Sequence, residues 1–501
     1  MTSPINIYTL SRIQEEDEFN IIKRHSSCCK TISQTQYHEI ESLRMLSDAF
    51  VKKEVAISEL DGFFYAFHIP HIGKEFDLLR FTDDSCLNIE LKSSSVPEEQ
   101  IKSQLIKNRH YLGHIGRRMF LYSVITDKMT CYKLALNNEL HPVRFDEIVN
   151  KVQETAETYV EDIDSLFRAS DYLISPLNQP NRFVQGEYFL TQAQEQIKKN
   201  ILTHAYDSSA SIFFHLTGKP GTGKSLLLYD LAKTLSKEKK TLIIHCGKLT
   251  EGQKTIQKAV SQLNIIPAAL LRSDEFSIEE YRYILIDESH RIYPSQFESI
   301  CNSVKNNHQI CVFSSDPEQI LSSSEKRHEI VKKIKELPLD GEYILSEKIR
   351  TNEELYSFIT CVKNLNHRPR VFFNYSNVDI NYANTTKEAQ YMLEYYRNKG
   401  FTFINYSKSN YGASPYSIYE EDFDTHHVIG QEFDKVVMLL DSSFFYDDNG
   451  ILRGIPHPTP DYLYPNLFYQ GITRVREKLA LIIVNAPQLF EQIVSIVQPS
   501  E

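Results

Sequence analysis

The segment Gly218-Lys219-Pro220-Gly221-Thr222-Gly223-Lys224-Ser225 has the pattern GxxxxGKS. Glycines at 218, 221 and 223 let a backbone wrap tightly enough to aim its N–H groups at phosphate oxygens. Thr222 sits inside that wrap. Lys224 supplies a cation for β- and γ-phosphates, and Ser225 a hydroxyl for Mg2+. The apolar run Ile212–Leu216 precedes the loop and a helical pattern, Leu226–Lys233, follows it, so the positive end of a helix adds to the site. Further on, Tyr283-Ile284-Leu285-Ile286 delivers Asp287 and Glu288 at the C-terminal end of a strand, where open α/β sheets bind their ligands. Asp287 is expected to hold Mg2+ through water and Glu288 to polarise the attacking water. The adjacent acids imply ATP hydrolysis as well as binding.

A second constellation lies near the N-terminus, in Asp77-Leu78-Leu79-Arg80-Phe81 and Cys86-Leu87-Asn88-Ile89-Glu90-Leu91-Lys92. Residues i and i+2 of a strand share a face, so Glu90 and Lys92 point the same way and Leu91 the other. Asp77 joins them across a hairpin whose turn is Thr82-Asp83-Asp84-Ser85. Two carboxylates, Asp77 and Glu90, can hold Mg2+, or Mn2+ in its place. A neighbouring lysine can orient water and stabilise the charge that develops on phosphorus. The same pattern also serves as a solvated strand pair, or as part of an inactive fold that only binds nucleic acid. His68, His71, His110 and His114 are scattered over different elements and read as surface or core histidines.

These groups need elements to position them. Strands are expected at Gly62–His68, Glu75–Phe81, Cys86–Leu91, Met119–Ile125 and Met129–Leu134, with a helix over Glu98–Leu112. An acidic amphipathic helix follows over 145–170, then a connector containing Pro176, Asn178, Pro180 and Asn181. Beyond 187, apolar runs alternate with helical patterns: Ile212–Leu216, Leu242–His245, Tyr283–Ile286, Ile310–Phe313, Phe401–Ile404, Val436–Leu440 and Leu481–Val484. That alternation predicts parallel strands covered on both faces. The expected division is 1–140, a helical linker 141–186, a first lobe 187–337 and a second lobe 338–501, split near Leu337–Gly341.

The 501 residues suffice for about three domains. A formal charge of -11 argues against non-specific coating of nucleic acid, while leaving room for a local basic channel. The eight cysteines form no CxxC pair and mostly sit in apolar runs, so they read as reduced core residues of a cytoplasmic protein. Neither a signal-like start nor a membrane-length apolar run is present, so no membrane association is expected.

Over roughly 187–488 the chain resembles superfamily 1 helicases. Leu190-Thr191-Gln192-Ala193-Gln194 is similar to LTxxQ, Asp287-Glu288-Ser289-His290-Arg291 to DEAHR, Ser315-Asp316-Pro317-Glu318-Gln319 to GDxxQ, Leu345–Thr351 to LxxNxRS, Gly430-Gln431-Glu432-Phe433-Asp434 to GLEFD and Thr473-Arg474-Val475-Arg476 to TRxR. The resemblance implies that Gln194 reads the adenine edge, Gln319 lies near the γ-phosphate, Arg350 contacts that phosphate, Glu432 lies near the ribose and Arg474 is an arginine finger. Thr351–Leu355 within IRTNEEL, HHVIGQEFDKVV and YQGITRVREK look like the helicase part of Schlafen proteins, of the group 3 kind. Ser315 replaces the usual Gly, Ile429 stands where many relatives carry Lys, and the segment after Gln319 lacks the aromatic residue that stacks on bases in better-known helicases.

Residues 37–135 resemble the PD-(D/E)xK nuclease core, with Phe76 in place of the Pro. That resemblance implies catalytic roles for Asp77, Glu90, Lys92 and Gln104, a neighbouring Tyr111, and Glu41 as a first-helix acid. The resulting expectation is an α/β chain: a restriction-endonuclease-like domain followed by two RecA-like parallel-sheet lobes. Its function would be an ATP- and Mg2+-dependent motor fused to a Mg2+-dependent nuclease, DNA ahead of RNA as substrate, of the anti-phage kind. Self-association or a defence-system partner protein is a further expectation. The alternative is a nucleotide-gated sensor with an inactive nuclease-like scaffold, or an RNA-directed enzyme.

Overall fold

The computed structural model describes residues 2–26, 37–69, 74–156, 163, 166–167, 174–207, 210–272, 276–345, 353–367, 373–408, 416–455 and 462–498. The chain divides into two compact units, Met1–Tyr172 and Leu173–Glu501.

The first unit is built on a six-stranded sheet in simple sequence order: β1 (Phe64–His68), β2 (Glu75–Phe81), β3 (Ser85–Lys92), β4 (Arg118–Ile125), β5 (Thr130–Leu134) and β6 (Leu140–Val143). All pairs are antiparallel except β3 with β4, which the helix Glu98–Gly113 connects as a crossover. Leu78, Leu87, Ile89, Tyr122 and Val124 fill one face of the sheet, beneath Leu43, Leu46 and Phe50 of the helix Tyr37–Lys52.

This unit extends past the boundary expected at 140. The strand β6 completes the sheet, and Ile148, Val149 and Val152 of the helix Phe145–Glu154 enter the same core. Arg80 ties that helix down. It is 1% exposed, donates to the carbonyl of Val152 (2.8 Å), to Thr155 Oγ1 (3.3 Å) and to the carbonyls of Glu59 and Asp61, and lies 3.8 Å over the Phe63 ring.

The second unit holds two RecA-like lobes, each an all-parallel sheet. The first lobe comprises β7 (Ile212–Gly218), β8 (Thr241–His245), β9 (Leu263–Pro267), β10 (Tyr283–Asp287), β11 (Ile310–Ser315) and β12 (Gly341–Leu345), in spatial order β12-β7-β11-β10-β8-β9. The expected division at 337 therefore falls one strand early. β12 pairs with β7 from Gly341↔Phe214 to Leu345↔Gly218 and closes the first sheet. β9 and β12 went unread because they are short and partly exposed, without a long apolar run.

The second lobe comprises β13 (Val378–Ala383), β14 (Thr402–Asn405), β15 (Phe423–Asp424), β16 (Phe433–Asp441) and the last strand, β19 (Val475–Val484), in order β13-β19-β16-β14-β15. A small hairpin of β17 (Phe444–Tyr446) and β18 (Leu452–Gly454) stands outside this sheet. The stretch read as a connector contains a helix, Pro180–Gln185, for which Pro180 is the pre-set first residue. The six described cysteines are free and buried, while Cys28, Cys29 and His71 lie outside the described residues. Among the described residues no helix is long and apolar enough to cross a membrane.

Because Arg80 is a buried charge whose terminal nitrogens bond three carbonyls from two segments, Arg80→Ala is expected to destabilise the first unit by about 3 kcal/mol or more. Chemical denaturation of the full chain, followed by a probe in the first unit, checks this. An unchanged midpoint would show that the helix Phe145–Glu154 does not depend on this arginine.

Candidate nucleotide site and N-terminal carboxylate cleft

The phosphate loop leaves the sheet at the end of β7 and enters the helix Lys224–Leu235. Gly223, its N-cap, has φ 81° and Gly221 has φ 77°, a region that side-chain-bearing residues rarely adopt. Gly218 is needed for space: a Cβ there would stand 2.7 Å from the Leu345 carbonyl. Lys224 Nζ donates to the carbonyls of Gly218 (2.5 Å) and Lys219 (3.0 Å) and pairs with Asp316 at 3.3 Å. Ser225 Oγ lies 3.4 Å from Asp287 Oδ1. The other Asp287 oxygen has no hydrogen-bond partner and faces His245 Nδ1 at 3.4 Å. A serine hydroxyl beside an unsatisfied carboxylate oxygen is a donor set that fits Mg2+.

Glu288 follows in a left-handed conformation, φ 56°, which starts the turn Ser289–Arg291. Burial, then the neighbouring Asp287, pushes its carboxyl above the usual range, against the pull of Lys224, Arg474 and Arg291. Sequence reading gave Asp316, His290 and Gln470 no role, yet they connect the site. Asp316 is fully buried; its carboxylate binds Lys224 and accepts from Gln319 Nε2 (3.0 Å). Gln319 Oε1 in turn accepts from Arg474 Nη2 at 3.1 Å, and Arg474 also donates to the carbonyl (3.2 Å) and side chain (3.1 Å) of Gln470.

His290 braces the turn. The Asp316 N–H donates to its Nδ1 (3.2 Å), which leaves Nε2 to donate to the Gln319 carbonyl (3.2 Å). The Ser315 departure has a local cause as well: its hydroxyl bonds the buried His215 Nε2 on the adjacent strand at 2.9 Å.

Arg474 reaches this cluster from the N-terminal edge of the second sheet. Its carbonyl accepts from Phe433 N (2.9 Å), beside the Gly430–Asp434 motif. Glu432 is held there through its backbone by Asn178, whose side chain accepts from the Glu432 N–H (3.1 Å) and donates to its carbonyl (2.7 Å). Gln194, expected to read the adenine edge, lies against the phosphate loop itself. It is buried beneath the phosphate loop and donates to the carbonyls of Thr222 (3.2 Å) and Gly223 (3.3 Å), while its oxygen accepts from Thr191 N (2.9 Å). A buried carboxamide must satisfy its own polar atoms, and this one does so by bracing the loop. Arg350 lies outside the described residues.

In the first unit, the β2–β3 register Leu78↔Ile89 continues to Asp77 opposite Glu90, so both project from one face with Lys92. Asp77 Oδ2 accepts from Leu91 N at 2.7 Å. Burial, then Glu90, raises the Asp77 pKa to about 8. Glu90 is 1% exposed and caged by amides: Asn88 (3.2 Å) and Asn108 (2.8 Å) on one oxygen, Gln104 on the other. Gln104 was expected; Asn88 and Asn108 were missed. Their signal is a polar residue at a buried position, and Asn108 interrupts the apolar stripe Ile101, Leu105, Leu112.

A cavity of about 280 Å³ is lined by Glu39, Tyr65, Glu75, Asp77, Lys92 and Ser93, among others. The first-helix acid at this cavity is Glu39. Glu41 is exposed, because two residues along a helix turn the side chain about 200° away. Tyr111 packs edge-on against Phe76, with ring centroids 6.4 Å apart. Among the described residues no three His, Cys, Asp or Glu side chains form a metal-binding cluster, so Asp77 and Glu90 stand as a pair of carboxylates.

Residues 211–403 match the family model for the Schlafen group 3 DNA/RNA helicase domain. No curated protein matches the chain by sequence. Among solved structures, Pif1 helicase from Bacteroides in complex with ADP-AlF3 and ssDNA aligns at 13% identity and a TM-score of 0.33, covering 62% of this chain and 95% of that one. The Arterivirus nonstructural protein 10 helicase with DNA aligns at 11% identity and 0.32, covering 60% and 66%. The helicase MrfA bound to DNA aligns at 12% and 0.33, covering 65% and 50%.

Burial, the first cause in each case, depresses the pKa of His215, His290 and His426 to about 4. These imidazoles stay neutral in the folded state, while in the unfolded chain they protonate near 6.5. Between those values the unfolded state binds more protons, so stability is greatest above pH 6.5 and falls as pH drops toward 4. The slope is about 1.4 kcal/mol per pH unit per histidine. Denaturant midpoints measured across that window are expected to show it, and His290→Gln should lower the slope by one proton. A midpoint flat with pH would mean that these rings are already charged in the folded state.

Proposed function

We propose that this chain is an ATP-driven nucleic-acid motor of the helicase type joined to a Mg2+-dependent phosphodiester-cleaving unit. The observation that carries the motor reading is the buried chain Lys224–Asp316–Gln319–Arg474, which links the phosphate loop of one lobe to an arginine of the other. A γ-phosphate competes with Asp316 for the Lys224 ammonium. When the lysine turns to phosphate, Asp316 keeps Gln319 as partner, and Gln319 presents Arg474 toward the same anion. Nucleotide state is thereby coupled to how the lobes meet, the condition for stepping along a strand. Ser225 and Asp287 would hold Mg2+, which neutralises phosphate charge when bound, and Glu288 would orient the attacking water. The match over 211–403 to a DNA/RNA helicase domain supports the same reading.

The cleavage reading rests on Asp77 and Glu90 facing each other across the hairpin with Lys92 on their face. Glu90 has three amide donors, which orient it and leave it few lone pairs for a metal. That saturation favours a second reading, in which the first unit is a nucleic-acid-binding scaffold and ATP closes the lobes as a sensor. DNA is the substrate we favour, and a role in defence against phages is the setting we propose.

Lys224→Ala is expected to abolish ATP hydrolysis with the fold intact by circular dichroism; normal turnover in that variant would end the motor reading. Arg474→Ala should lower kcat by roughly a thousandfold, with KM little changed. Equal losses in kcat and nucleotide affinity would count against an arginine finger. Glu90→Ala and Lys92→Ala should each remove Mg2+-dependent nicking of DNA while nucleic-acid-stimulated ATPase activity survives. A wild-type chain that nicks neither DNA nor RNA, with Mg2+ or Mn2+, would favour the scaffold reading.

A further inference from the structure

Tyr293 lies just beyond the Asp287–Arg291 segment and is 48% exposed, yet its surroundings hold it in place. The Arg272 guanidinium lies 4.2 Å over its ring, and the His328 ring is 5.1 Å away, tilted by 48°. One buried side chain fixes the first two. Gln296 accepts from the Tyr293 N–H (3.0 Å) and donates to the carbonyl of Ala268 (2.6 Å), at the start of the turn Ala268–Arg272. A second contact fixes the third: Arg291, two residues before Tyr293, pairs with Glu325 at 3.1 Å and so holds the helix Ser323–His328. That helix also exposes Lys326 and Arg327. The three segments follow β9, β10 and β11, so they emerge at one edge of the sheet, the edge that carries the phosphate loop.

An exposed aromatic ring that served only to fill the surface would not need two specific polar contacts to hold its neighbours. A planar ring, a planar cation and an imidazole clustered beside exposed lysine and arginine suit a flat, apolar-faced group attached to an anionic chain. We propose that Tyr293, with Arg272 and His328 around it, is a stacking platform for a base of single-stranded nucleic acid. The proposal rests on the motor reading above and adds where the strand is gripped. It supplies an aromatic group from a different segment than the one after Gln319, where the sequence has none. Tyr293 caps the helix Pro294–Asn306, which follows the turn that Glu288 starts, so a base held there lies close along the chain to the hydrolytic carboxylate.

The test uses the full chain and fluorescein-labelled oligo-dT and oligo-U, with a fully abasic strand of equal length as control, at one fixed salt concentration. Anisotropy titrations give the Kd. Tyr293→Ala is expected to weaken oligo-dT binding roughly tenfold. Tyr293→Phe should retain it, and Arg272→Ala should fall between the two. The preference of wild type for oligo-dT over the abasic strand should shrink by the same factor in Tyr293→Ala, a change that mere loss of structure would not produce. ATP turnover without nucleic acid should stay at the wild-type level. If wild type prefers bases and Tyr293→Ala prefers them equally, the platform is refuted while the motor reading stands. If wild type binds none of the strands, the motor reading falls and takes this assignment with it.

Discussion

The buried carboxylate of Asp316 is the constraint on which the second unit depends. A fully buried charge is tolerated only with partners, and Asp316 takes a cation from the phosphate loop and an amide from Gln319. Gln319 is thereby oriented to receive Arg474. The strands β7 and β11, adjacent in the first sheet, bring Lys224 and Asp316 within reach, and His290 secures the Asp316–Gln319 turn from both ends. Removing any member leaves a buried polar group unpaired, so the lobes are held by a chain of interdependent bonds. Apolar contact alone would let them slide.

The first unit solves a different problem with neutral groups. Glu90 is a carboxylate inside a sheet, and carboxamides instead of cations satisfy it. Lys92 therefore has no direct bond to Glu90 and points into the cavity it shares with Asp77, Glu39 and Glu75. Asp77 is half-buried beside Glu90, and burial and that charge raise its pKa to about 8. A cation entering the cavity would relieve both the burial and the repulsion.

How much could be read in advance varied with the range of the interaction. The phosphate loop, the Asp287–Glu288 strand end and the β2–β3 hairpin were all legible, because each is a local pattern in which chemistry and backbone geometry coincide. The longer apolar strands were legible for the same reason. Short strands such as β9, β12, β13 and β15 were not, because without partners their residues look like loop. The lobe division was misplaced by one strand because β12 belongs to the first sheet only through its pairing with β7. Glu39, the acid at the cavity, was not legible, because a helix's facing depends on what packs against it.

By itself the sequence determined which residues can wrap a phosphate, hold a cation and form the alternating strands that present them, since spacing and side-chain chemistry are sufficient for that. Tertiary structure decided which polar groups pair. Gln194 turns under the loop, Asp316 joins Lys224 to Gln319, Asn88 and Asn108 close around Glu90, and Tyr293 is set between Arg272 and His328. The physical reason is that a buried hydrogen bond is chosen by whichever groups become neighbours after the chain has packed, and those neighbours come from distant segments.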